Sequence, residues 1–507
     1  MIKKLTSVVL LVLMTIIISV IPVSAESSED VITIRIANCE EYIDEGHWGE
    51  DEVIDLESGD IFGENPIIDD FKVWYEKTYG KKINIEYSTY GTNEDLYNQM
   101  TLGDTFDLAC PSDYMCLKMM DEDMLQPLSD NFLDKNNKEN YYINGVSPYI
   151  QKLMDDTTIN NQKWSDYSAG YMWGNMGFVY NPEYVTNEEA STWKIFENPK
   201  FARQITVKDS VRDTYFGILG LLNSEKLTSP EVINSGDYNK KVTEIMNDTS
   251  KETIDRAEKK LQEIRDNVYS FETDSGKSDM VAGKVVASFQ WSGDGVYTLD
   301  QAEEDDCYLE YAVPEESSNL WCDAWVMLKD GINGDREKQD ACEAFINYIS
   351  RPDNVIRNMY YVGYTSCISG GDDRRIFEYA DWCYGAEDDE ENTIEYPLGF
   401  FFVGDESDED YIITALEDQS RRQLFSQYPT KDVLDRCAVM TFFNNEENAR
   451  MNQMWINVRC FNLSTVPTTT WIIIIGVVLL VALIVIFIVF KNKIYHKKKL
   501  KHYTKIS

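Results

Sequence analysis

Apolar positions along this chain switch between a two-residue and a three-to-four-residue period. Residues 31–37 read as a strand. Residues 66–79 read as a helix, with Phe71, Trp74 and Tyr75 on one face and Gly80 as its stop. Residues 83–87 form a second predicted strand, Thr92 followed by Asp95 marks a helix start ahead of Leu96 and Met100, and residues 106–110 form a third short strand. Strands return at 176–180, 204–207 and 284–289. Between the last two, Ile254, Ala257, Leu261, Ile264 and Val268 draw an apolar stripe along an otherwise charged helix. The alternation predicts an α/β protein whose sheets are covered by helices, with ligand groups gathered beyond strand ends.

Two longer apolar runs bracket this pattern. Residues 8–21 follow Lys3 and Lys4 and lead to Val23-Ser24-Ala25, which predicts a secretory signal over 1–25 cut after Ala25, an uncleaved anchor being the alternative. Residues 471–490 are uncharged and long enough to cross a hydrocarbon core of about 30 Å. Lys491, Lys493 and further lysines follow, so positive-inside bias predicts a transmembrane helix over 471–490, a linker over 461–470 and a basic cytoplasmic tail over 491–507. The expectation is a single-pass cell-membrane protein with an extracellular binding domain.

Charge narrows the partners. Of the 47 lysines and arginines nine lie outside residues 26–470, leaving 38 basic against 88 acidic residues and a formal charge of −50. Such a field excludes nucleic acid, whose phosphates need basic surface, and favours cations. The segment exceeds one ordinary core, so two lobes are expected. Ten cysteines show no repeated close spacing, leaving disulfides and buried thiols both open.

Catalytic chemistry is poorly supplied. Residues 26–470 hold one histidine, His47, with no HExxH pattern and no GxSxG turn. Gly293-Asp294-Gly295 lacks the third glycine of a dinucleotide loop. Carboxylates are too abundant for any one pair to single out a glycosidase, which stays as a lesser alternative. Neither enzyme activity nor a cofactor or metal is expected.

Four segments instead join an aromatic to an acid or hydroxyl: residues 38–42, 111–114, 290–293 and 320–323. A linear polyamine needs such sets, because its ammonium ends require carboxylate and hydroxyl acceptors while its methylenes and charge favour aromatic faces.

These segments sit within an ordered series: NCEEYI at 38–43, YSTYGTNEDLYNQM at 87–100, FDLACPSDYMCLKMM at 106–120, YMWGNMGFVYN at 171–181, FQWSGDG at 289–295, LWCDAWVM at 320–327, FINYISRPDNV at 345–355 and VGYTS at 362–366. The series resembles the spermidine/putrescine-binding proteins of bacterial ABC importers, of the type II periplasmic-binding class. The resemblance implies a two-lobed α/β clamshell with crossing hinge strands and no enzymatic activity. One lobe would hold 31–171 and 325–365, the other 172–324 and 366–460. It implies capture of an extracellular polyamine, putrescine or spermidine, and delivery to permease subunits driven by a separate cytoplasmic ATPase. An amino acid, a sugar or ferric ion is the alternative cargo.

By the same resemblance, Glu41, Tyr42, Ser112 and Tyr114 line the first-lobe wall and Asp323 is the main acid for an ammonium group. Trp291 and Trp321 flank the alkyl chain, and Tyr364 closes the site. The VKDSVRDTY segment resembles the stretch that supplies two acids in spermidine binders: Asp213 falls on one, and Ser210, beside Asp209, on the other. Cys39 replaces a family tryptophan, Asp113 adjoins the wall, and no glutamine matches near 437–440, which tilts the expectation toward putrescine. Residues 45–68 and 382–410 are acidic additions expected to be solvated loops, with permease docking or weak calcium binding as alternatives.

Overall fold

The structure, a computed structural model, describes residues 31–49, 52–387 and 390–460. Strand Ile32–Cys39 buries Ile34, Ile36 and Ala37 and runs parallel to Ile83–Tyr90 on one side and Leu108–Ala109 on the other. The helix between the first two strands, Ile67–Tyr79, starts after Pro66 and buries Ile67, Phe71 and Tyr75. Gly80 ends it in the left-handed region (φ 66°), and its N–H returns to the Glu76 carbonyl at 2.9 Å. The next helix, Asn93–Thr101, is capped as its sequence predicts, the Thr92 hydroxyl accepting from the Asp95 N–H at 3.1 Å.

The described strands build one eleven-stranded sheet and two small two-stranded ones. Across the large sheet the order is Ile83–Tyr90, Ile32–Cys39, Leu108–Ala109, Leu320–Leu328, Ser168–Tyr180, Ala287–Trp291, Ile205–Lys208 and Ser270–Glu272. The two strands at its centre are antiparallel and cross between the two α/β lobes. Ser168–Tyr180 pairs through its first half with Leu320–Leu328 and through its second with Ala287–Trp291 and Glu310–Ala312. All thirteen of its residues are buried. The register of Leu320–Leu328 shifts between Asp323 and Ala324. Such a bulge bends a strand and re-aims the side chain beside it, and it falls at the acid the sequence singles out.

Both acidic additions differ from solvated loops. Within 45–68, Trp48, Ile54, Leu56 and Ile61 are buried, Ile54 pairs with Ile61, and Trp48 packs 4.8 Å from the Tyr360 ring. The guanidinium of Arg357 joins this segment to the fold through Asp44, the Asn65 carbonyl and Asp70, the last at 2.8 Å. Within 382–410, strand Thr393–Pro397 pairs with Ile412–Leu416, and Phe400, Phe401 and Phe402 are buried. The described acidic side chains of both additions are largely exposed while these aliphatic and aromatic groups supply the packing. Among the described residues no group of three or more His, Cys, Asp or Glu is arranged to hold a metal.

Helices Lys251–Arg265 and Asn445–Arg459 lie in a separate unit whose described residues are 249–266 and 444–460. Ile254, Ala257, Leu261 and Ile264 are its buried stripe, and Asn457 donates to Glu258 at 3.1 Å. Val268 lies beyond the first helix.

The expectation of a membrane-anchored, single-pass protein is corrected. Among the described residues no helix is long and apolar enough to cross a membrane. The predicted signal at 1–25, the linker at 461–470, the apolar run at 471–490 and the basic tail at 491–507 lie outside the described residues. The described α/β clamshell thus contains no transmembrane helix, and neither a membrane partner nor a cell-membrane location is carried further. All ten cysteines are free thiols, Cys322 and Cys367 approaching to 3.5 Å between sulfurs.

Candidate ligand-binding site

Asp323 sits at the bulge of the crossing strand and gathers groups from distant segments. The Tyr42 hydroxyl, just past the first strand, donates to its Oδ2 at 2.7 Å, and Ser112 pairs with Asp323 as an isolated antiparallel bridge. Asn93 holds Ser112 at both ends, Nδ2 donating to its hydroxyl and Oδ1 accepting its N–H, each at 3.0 Å. That leaves the Ser112 hydroxyl proton for the Asp323 carboxylate. Burial raises Asp323 to about 6, the Tyr42 and Ser112 hydroxyls pulling against it and the charge of Asp213 adding to it. Two acids from segments far apart in the sequence therefore feel one another here.

Aromatic rings line the same place. Tyr42 meets both Tyr171 and Tyr364 edge-on at 5.4 Å, and Tyr364 lies 5.7 Å from Trp321. The Trp321 indole donates to the Asn175 carbonyl at 3.1 Å. Tyr364 rests directly on a glycine, since a Cβ on Gly293 would come within 2.5 Å of its ring carbons. The Tyr364 hydroxyl donates to Asp294 Oδ1 at 3.0 Å, and Asp294 in turn holds Lys208 at 3.0 Å and Lys277 at 3.5 Å. Burial would raise Asp294, but the two ammonium groups and the tyrosine hold it below its ordinary value. The Lys208 ammonium also lies 4.1 Å from the Trp291 ring centroid.

Asp213 is on helix Val211–Leu222, whose N-cap is Ser210. Burial raises its pKa, and Ser210, Lys208 and the Trp291 indole favour its carboxylate. Asp209 flanks the cap, its N–H donating to the Glu272 carbonyl at 2.8 Å. Tyr114 donates to Glu94 at 3.2 Å and stacks on the Arg212 guanidinium at 3.8 Å, so the 111–114 segment touches the start of helix Val211–Leu222.

The sequence-predicted set thus falls into groups. Tyr42, Ser112, Asp323, Trp321 and Tyr364 converge, Cys39 lies close enough for the Asp323 charge to act on it, and Asp213 with Ser210 and Trp291 faces them. Burial and that charge push the Cys39 thiol up to about 12, so it contributes bulk. Asp113 turns away from the cleft: its carboxylate accepts the Tyr114 and Cys322 N–H groups, and burial raises it to about 8. Glu41 is exposed in the left-handed region (φ 52°), and none of its described contacts joins it to these groups. Asp294, Lys208, Arg212 and Tyr171 were not among the predicted residues. The first sits in the glycine pair set aside as an incomplete dinucleotide loop, and the next two in VKDSVRDTY, read there for its acids.

Residues 67–373 match the family of bacterial extracellular solute-binding proteins. The chain belongs to that family. This solute-binding protein is 23% identical over 305 residues to the putrescine-binding periplasmic protein PotF of Escherichia coli, covering 58% of this chain and 72% of that one. It is 22% identical over 287 residues to spermidine/putrescine-binding periplasmic protein 1 of Haemophilus influenzae, covering 56% and 68%. Its fold is similar to that of the spermidine/putrescine ABC transporter substrate-binding protein PotD of Streptococcus pneumoniae, with a TM-score of 0.53, 21% identity and coverage of 84% and 98%. The resemblance expected from the ordered motifs therefore holds. The solute-binding protein is a non-catalytic transport component that takes a small polar solute for an ABC importer.

Proposed function

We propose that this protein binds a short polyamine between its lobes and presents it to an ABC permease with a separate ATPase. The observation that carries the reading is the pair of buried acids, Asp323 and Asp213, each raised by burial and close enough for one charge to act on the other. An ammonium group at Asp323 would meet a carboxylate already oriented by Tyr42 and Ser112, and a second would meet Asp213. Trp291, Trp321, Tyr42 and Tyr364 would cover the methylenes. Exchanging water for carboxylate and hydroxyl acceptors is what a desolvated ammonium requires. The putrescine-binding and spermidine/putrescine-binding relatives agree with this class of ligand. Lobe boundaries follow the crossing strands, with closure by hinge motion.

The test is titration calorimetry of the purified protein against putrescine, cadaverine, spermidine and spermine. Saturable heat with at least one is the expected result. No heat with any amine, together with binding of an amino acid, a sugar or ferric ion, would move the protein to another cargo class.

A further inference from the structure

The end of the site beyond Asp213 already contains a cation. Arg212, on the first turn of helix Val211–Leu222, is 7% exposed. Its guanidinium lies between two rings, with its central carbon 3.8 Å from the Tyr114 centroid and 3.8 Å from that of Phe443. One Nη donates to the Thr441 carbonyl, and Nε has no partner among the described groups. Burial lowers its pKa, and the acidic groups that oppose this are the Tyr114 hydroxyl, Glu94, Asp113 and Asp213. Guanidinium stays protonated under these conditions, so one positive charge is held with both faces against aromatic rings and carboxylates around it.

An aromatic pair with neighbouring carboxylates is also what the far ammonium of a longer polyamine would require. Here Arg212 has taken that position, and it enters from the residue next to a proposed ligand acid. Its anchor on the other side is the Thr441 carbonyl and the Phe443 ring, just past residues 437–440. Like charges brought together in a desolvated site are strongly disfavoured.

We infer that Arg212, sandwiched between Tyr114 and Phe443, is a specificity-determining residue that ends the cleft at diamine length by supplying from the protein the positive charge a triamine would bring. The inference rests on the polyamine reading above and adds a residue that decides among polyamines. Discrimination arises from repulsion of a wrong ligand as much as from attraction of the right one.

Three measurements test it. Calorimetry on the wild-type protein should give putrescine an affinity at least about tenfold above that of spermidine. N-butylputrescine, which has spermidine's length with a methyl in place of the terminal ammonium, should bind at least about tenfold more tightly than spermidine. Equal rejection of the two long ligands would mean that Arg212 excludes by bulk, and would overturn the inference without any variant. Arg212→Gln should move the spermidine-to-putrescine ratio toward spermidine by at least about tenfold, while Arg212→Lys should leave it near the wild-type value. Because the ratio is taken within one variant, a general loss of closure or stability cancels. An unchanged ratio in Arg212→Gln, or spermidine binding the wild type as tightly as putrescine, would overturn the inference while leaving polyamine binding intact. Failure of every amine to bind the wild type would instead remove the reading on which it rests.

Discussion

Tyr42 and Asp323, 281 residues apart, share a 2.7 Å hydrogen bond at the point where the crossing strand bulges. The tyrosine hydroxyl can only donate to an ionised acid, so the pair fixes one carboxylate lone pair and leaves others for a ligand. Asp323→Asn keeps the shape and removes the charge. Affinity for the preferred amine should fall by about 2–5 kcal/mol, the range for truncating one partner of a buried hydrogen-bonded charge pair. Thermal unfolding of the unliganded variant should occur no lower than that of wild type. Unchanged affinity by calorimetry would assign the ammonium to another acid.

The same acid predicts a pH dependence. Burial raises Asp323 to about 6 in the free protein, and an ammonium ligand would draw it down. Binding therefore requires loss of a proton from the fraction still protonated. Affinity should be full above about pH 7 and fall roughly tenfold per unit once the pH drops below about 6. Folding follows the opposite sign: a carboxyl raised above its unfolded value favours the fold at low pH, and that contribution is lost as pH rises through about 6. Titrations at about pH 5 and about pH 7.5 in buffers of different ionisation enthalpy would read both the affinity and the protons released. A flat profile would show that Asp323 is already ionised in the free protein.

The converging half of the site was legible because its residues come in short segments whose order along the chain is itself informative. Tyr42 and Tyr364 sit just past the end of a strand and of a helix, the latter marked by Gly363, and Asp323 sits in an aromatic-acid pair at a strand bulge. What sequence leaves out is which carboxylate is already neutralised. Asp113 looks like a wall acid but spends its oxygens on two backbone N–H groups. Ser210 looks like a missing ligand acid but caps a helix. Lys208 and Arg212 stand among acids in one segment, and only the fold shows that they occupy aromatic faces. The long crossing strand was read as 176–180 because both its faces are buried, so residues 168–175 show no alternation, and Gly170 and Gly174 lower its apparent strand propensity.

Packing of the first acidic addition gives a stability prediction. Asp44 is 1% exposed and Arg357 is 6% exposed. Asp44 also accepts from the Gly46 N–H at 2.7 Å and the Trp48 indole at 3.1 Å, so the ion pair organises the start of the segment. Arg357→Met strands a buried carboxylate and should cost about 3–5 kcal/mol in urea unfolding. Adding Asp44→Asn should recover part of that loss. If the double variant were no more stable than the single, the cost would belong to the Asn65 and Asp70 contacts instead.

Trp291 offers the clearest separation of packing from binding. It ends strand Ala287–Trp291, is only partly buried, and has the Lys208 ammonium 4.1 Å from its ring centroid while its indole supports Asp213. A ligand methylene chain against this ring would add a desolvated contact on a residue already held in place. Trp291→Ala should therefore weaken binding by about 2 kcal/mol or more, the behaviour of an aromatic anchor. Trp291→Phe should lose less, because it keeps an aromatic face and gives up only the indole N–H to Asp213. Calorimetry with putrescine decides between the two roles, and unfolding of the unliganded variants controls for the lost Lys208 contact. A loss below about 0.5 kcal/mol in Trp291→Ala, well short of an anchor, would make the indole a support for Lys208 and Asp213 alone.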